Sequence, residues 1–180
     1  IPIYFYAVLS DGTVAGNRVA FFTIGSFMAV WIILYGAVQA SAPRLLRADT
    51  RGQAVLINEA WTWALGLALL PALLAALVWF AGAPAPWLTG TLIAGLLGFG
   101  AIFAINSALH SYLILAFTRA ERVTMDVGFY YMANAAGRLI GTLLSGLSYQ
   151  WGGLPACLAV AAVMLAISAL LARQLRPVSA

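Results

Sequence analysis

Between Asp126 and Arg173 the chain carries a single charged side chain, Arg138. A run that long with one charge cannot form a water-coated surface. The rest of the chain follows the same pattern. Hydrophobic residues make up 64% of the 180 and charged residues 8%, whereas a soluble domain carries about 25% charged residues. Water is therefore not the solvent for most of this surface, and the chain reads as an all-α, polytopic integral membrane protein in a lipid bilayer. Every basic charge behind the net +4 is an arginine. The arginines do not share one solvated face, so nucleic acid is not an expected partner. One cysteine, Cys157, and one histidine, His110, rule out an intrachain disulfide, a cysteine cluster and a multi-histidine metal site. Neither a metal nor a cofactor is expected.

Stretches of about 20 apolar residues can each cross a bilayer as a helix. Five such spans are expected, at about 19–40, 54–80, 92–117, 127–149 and 155–172. The opening "IPIYFYAVL", about 1–9, reads as the tail of a further helix, so the sequence reads as a fragment of a longer protein. The first full span is expected to end at Pro43, and Pro71 to kink the second. Asp126 is placed as the N-cap of the fourth, and Pro155 opens the fifth.

Loop charge sets the orientation. Alternate connections hold Arg44, Arg47, Arg51, Arg119, Arg122, Arg173 and Arg176, while the opposite set holds only Arg18. By the positive-inside rule the arginine-rich side, and with it the C-terminus, is cytoplasmic. Trp87 and Trp151 fall at expected interfaces as belt residues, and Trp31 lies deeper, as packing.

Arg138 falls near the middle of the fourth span, where an arginine costs about 2.5–3.5 kcal/mol to insert. Steps of three and four along that span give Tyr130, Asn134, Arg138, Thr142, Ser145 and Tyr149, a polar stripe on one face. A guanidinium fork among hydrogen-bonding neighbours suits a small anion. The bland alternative is an ion pair that fixes packing, but Glu59 lies near the cytoplasmic end of its own span and is better matched to Arg47 or Arg51. Gly137, Gly141 and Ser145 recur every four residues, a spacing that permits close helix packing. On the third span Phe103, Asn106 and His110 share a face. Phe103 and Asn106 are cavity candidates, and His110 is a candidate proton carrier because histidine is the side-chain type whose unperturbed pKa lies near neutral pH. The competing reading of His110 is a hydrogen bond to a neighbouring helix. An enzyme would need a nucleophile with a base, or a metal. No G-x-S-x-G or H-E-x-x-H run is present, so a transporter is expected rather than an enzyme.

The runs "GAIFAINSALHSYLILAF" and "DVGFYYMANAAGRLIGTLLSGLSYQWGGLPACL", with "YGAVQASAP" earlier, resemble the C-terminal half of the organoarsenical efflux permeases of the major facilitator superfamily, the ArsJ type. "RADTRGQ" is loosely similar to that superfamily's D-R-x-G-R loop, with Thr50 and Gln53 at usually basic positions. The resemblance implies a six-helix half, one partial helix plus five full ones, partnered by an N-terminal half. It also implies secondary active efflux of 1-arseno-3-phosphoglycerate, arsenate resistance and residence in a bacterial inner membrane. Glyceraldehyde-3-phosphate dehydrogenase, which makes that ester from arsenate, would be a functional partner. The resemblance supplies no set of binding residues. The candidates therefore remain Arg138, Asn134, Tyr130, Asn106 and Phe103 for substrate, and His110 for a proton. An exporter of another organic anion or drug is the alternative, and a membrane-embedded enzyme or scaffold a remote one.

Overall fold

The computed structural model describes residues 1–47, 51–118 and 120–175. Arg119 and Arg176, counted in the loop bias, and Thr50 of the 47–53 stretch lie outside the described residues, as does the C-terminus. Among the described residues the chain is helical and contains no strand. Helix α1 spans Pro2–Leu9, α2 Val14–Leu46, α3 Gln53–Ala81, α4 Pro86–Phe117 and α5 Val123–Ala172, with a 3-10 turn at Ala120–Arg122 before α5. Four of these helices are long and apolar enough to cross a bilayer, as in a multi-pass membrane protein.

The helix ends differ from expectation for identifiable reasons. Helix α2 starts earlier because Thr13 caps it, its hydroxyl accepting from the Gly16 amide at 3.0 Å. Asp11 in turn accepts from the Thr13 amide and hydroxyl, and these bonds hold its carboxyl below its usual pKa. Gly16 is required here, since a Cβ would fall 1.8 Å from the Asp11 carboxylate. Helix α2 also runs past Pro43 to Leu46, because one missing N–H near a helix end costs only one ladder bond. It stops at Arg47, whose left-handed backbone turns its N–H back onto the Pro43 carbonyl. Helix α3 continues through Pro71, which is buried in the bundle. Asp126 is not an N-cap. Arg122 holds that position, and Asp126 sits in the first turn of α5, accepting from the Thr118 hydroxyl.

Helix α5 carries the two expected spans 127–149 and 155–172 in one run, broken at Gly152 and Gly153. Gly153 has φ 63° and ψ −153°, a conformation essentially restricted to glycine. The break divides α5 into a first arm, 123–151, and a second arm, 154–172.

Helix α3 is the hub. It packs against α4 and α5, α4 packs against α2, and α2 against α1. The buried side chains form a cluster at each end of the bundle. At the arginine-rich end Leu46, Leu56, Ile57, Ala60, Leu109 and Leu113 interlock α2, α3 and α4. At the opposite end Phe5, Leu74, Leu88, Leu92, Leu154 and Leu158 join α1, α3, α4 and the second arm of α5. The second arm therefore runs antiparallel to α3. Its far end agrees, with the Arg173 guanidinium 5.6 Å from the centre of the Trp61 ring.

Candidate functional site

The polar stripe on the first arm divides into tied ends and a bare middle. At one end the Tyr130 hydroxyl meets the Ser111 hydroxyl of α4 at 3.3 Å. At the other, Ser145 Oγ lies 3.2 Å from Cys157 Sγ across the break, and Tyr149 packs on the second core cluster. Between them every residue from Tyr131 to Leu143 is exposed, Asn134, Arg138 and Thr142 included. The Thr142 hydroxyl donates to the Arg138 backbone carbonyl at 2.8 Å, so it satisfies its own helix. The Arg138 guanidinium makes no hydrogen bond or ion pair among the described residues. Glu59 is engaged elsewhere, by Arg51, near the arginine-rich end of α3.

Helix α4 contributes the other candidates. His110 Nδ1 lies 2.8 Å from the Asn106 backbone carbonyl one turn back, so an Nδ1–H donates there and leaves Nε2 as the acceptor. The histidine is thus tied to its own helix rather than to a neighbour. The Asn106 side-chain oxygen is sealed from solvent and has no hydrogen-bond partner among the described residues. In a membrane interior such an orphan is costly. Phe103 stands on the same face, tilted against Tyr35 of α2 at 5.7 Å and stacked on Phe99 at 5.8 Å.

Those contacts belong to an aromatic column that the sequence pattern did not reveal. Trp31 stacks on Tyr35 at 5.8 Å, and its indole N–H donates to the Leu96 carbonyl at 2.9 Å. The ring lies flush on α4 because residue 100 is a glycine, where a Cβ would sit 2.8 Å from the indole nitrogen. The available signal was the glycine-rich N-terminal half of α4 opposite a tryptophan deep in α2.

Among the described residues a Cβ at Gly137 or Gly141 would meet nothing within 4 Å. They border a cavity of about 380 Å³ between the two arms of α5. Of the expected packing trio only Ser145 touches a second segment, through Cys157. The structure thus joins Tyr130 to α4 and groups Phe103, Asn106 and His110 along one helix. Among the described residues no hydrogen bond or ion pair links the Arg138 or Asn134 side chain to that group. No grouping of three or more metal-binding side chains occurs among the described residues. No family model matches this chain, and neither a curated protein nor a solved structure does.

Proposed function

We propose that this chain is one half of a secondary active exporter in a bacterial inner membrane, that its cargo is an organic anion, and that Arg138 draws that anion in. One observation carries the reading. A guanidinium stands midway along an apolar membrane helix, exposed and without a partner among the described residues. An arginine there costs about 2.5–3.5 kcal/mol to insert and is a functional candidate by default. Its planar fork matches a carboxylate, phosphate or arsenate edge-on. Asn134, one turn earlier on the same exposed arm, adds an amide. The Tyr130–Ser111 contact joins this arm to α4, whose Asn106 and Phe103 are the remaining candidates for the anion's surroundings. Transport by such a device needs a second half, against which this one rocks around a shared midplane site.

The sequence resemblance points to 1-arseno-3-phosphoglycerate as the anion, with arsenate resistance as the consequence, and the bias in loop arginines points to the arginine-rich side as cytoplasmic. Binding to purified, equally stable full-length variants tests both levels. Arg138→Lys keeps the charge and loses the fork, so it binds the arsenical ester more weakly than wild type. Arg138→Ala loses binding. If Arg138→Ala binds as tightly as wild type, Arg138 is not the anion group. Competition by 3-phosphoglycerate as effective as the ester would make the cargo a general organic anion.

A further inference from the structure

The cavity between the arms of α5 shares only Ser145 with the polar stripe and does not include Arg138. Its walls are Gly137, Gly141 and Leu144 of the first arm and Val160 and Met164 of the second, with Phe99 of α4 as its floor. At about 380 Å³ it is well above the roughly 150 Å³ of an engineered apolar cavity that holds benzene. A second cavity of about 200 Å³ lies on the other side of Phe99, Cys157 and Ala161, toward Pro71 and Leu74 of α3. The three shared residues form the partition between the two spaces. The only polar side chains on the larger cavity, Ser145 and Cys157, satisfy each other at 3.2 Å. No donor or acceptor on it asks for a polar ligand.

The mouth opens on the outer surface of the helices, where Ile140 is 51% exposed and Met164 47%. The space suits neither a helix, whose body is about 10–12 Å across, nor water, which would find no free polar partner. It lies between two membrane-spanning arms, where the surrounding solvent is hydrocarbon. We propose that this cavity is a binding site for one alkyl chain of a membrane lipid, wedged between the arms of α5. Without Cβ atoms Gly137 and Gly141 leave the chain room, and Phe99 closes the inner end. Contact there is dispersive, so fit rather than area decides occupancy.

Photocrosslinking of the full-length protein in vesicles tests the site. The probe is phosphatidylethanolamine with a diazirine midway along one acyl chain, and adducts are mapped by mass spectrometry. Adducts are expected to concentrate on Leu144, Val160 and Met164, several-fold above Ile32 and Ile33 on the exposed face of α2. Gly141→Leu fills the space and removes that excess. Gly128→Leu, on the same arm with open space around it and outside the cavity, leaves the excess in place. Gly137→Leu repeats the test should Gly141→Leu fail to elute as a folded protein. Equal labelling of the cavity and of α2, or an excess that survives the folded Leu variant, overturns the proposal. So does an unlabelled cavity in the full-length protein, since another part of the chain then covers it.

Discussion

Along the second arm of α5 buried positions recur at Leu154, Leu158, Ala162, Ala169 and Ala172, a single face at helical spacing that lies on α3. Along the first arm, from Tyr131 to Leu143, no residue is buried. Both arms are apolar, and they are covalently continuous. What separates them is the turn at Gly152 and Gly153, which directs only the second arm back onto the bundle. The first arm touches the rest of the molecule near its ends, through Tyr130, Asp126, Ser145 and Tyr149. The packed arm contains no charge and the unpacked one holds Arg138. An apolar helix in lipid gains little from a neighbour unless their shapes fit. The arm with small residues against α3 has that fit. The arm with a guanidinium at its centre presents a face suited to something other than this bundle.

Truncations measure the contrast most directly. Leu158→Ala removes atoms from the cluster shared with Leu74, Leu88 and Leu92, and a buried Leu→Ala change costs about 2–5 kcal/mol. Leu139, 64% exposed on the first arm, is expected to tolerate the same change within about 0.5 kcal/mol. Reversible unfolding in mixed detergent micelles reads both. Equal costs would mean that the first arm is packed as well as the second.

Much of this difference could be read from the sequence, and some could not. That the chain forms long apolar helices, four of them long enough to cross a bilayer, was legible because hydrocarbon enforces length and composition together. The pairing of Glu59 with Arg51 was legible because a carboxylate one turn inside a span has few cations within reach. Helix ends were less so. Pro43 lies inside α2 and Pro86 opens α4, because a proline near a helix terminus removes little. Asp126 attracted an N-cap assignment, yet the Thr118 hydroxyl provides its hydrogen bond from the preceding turn. Small residues every four positions signalled packing at Gly137 and Gly141, but that spacing says only that a helix can approach. The aromatic column from Trp31 to Phe99 joins residues far apart in the chain, and no local periodicity encodes such a match. Arg138 was legible as an anomaly, and its exposure could be known only once the fold showed which arm the bundle covers.

The hinge sharpens the comparison next. Gly153 holds its φ of 63° only because it lacks a Cβ, so Gly153→Ala is expected to cost about 1–3 kcal/mol. Its signature differs from that of a core truncation. Strain at the turn is relieved by moving one arm, and the 3.2 Å contact between Ser145 and Cys157 straddles the break. Alkylation of Cys157 by N-ethylmaleimide should therefore accelerate in Gly153→Ala and remain slow in Gly52→Ala, where no positive φ is involved. An unchanged Cys157 rate would show that the arms are fixed relative to one another by something besides the turn.

The smallest expected effect concerns the hydroxyl contact between Tyr130 of the first arm and Ser111 of α4. Tyr130→Phe and Ser111→Ala each remove one side of the 3.3 Å hydroxyl contact. Side-chain hydrogen bonds between membrane helices average about 0.6 kcal/mol by double-mutant cycle, so the coupling between these two changes should lie near that value. Ser111 also donates to the Ser107 carbonyl at 3.0 Å, which means that Ser111→Ala alone loses more than the interhelical bond. Only the cycle separates the two contributions. A coupling near zero would mean that the Tyr130 contact does little to hold the first arm on α4, leaving the Thr118–Asp126 bond as the stronger tie. A coupling well above 1 kcal/mol would mean that Tyr130 holds the arm in place, and the contrast between the arms would then be one of burial without being one of mobility.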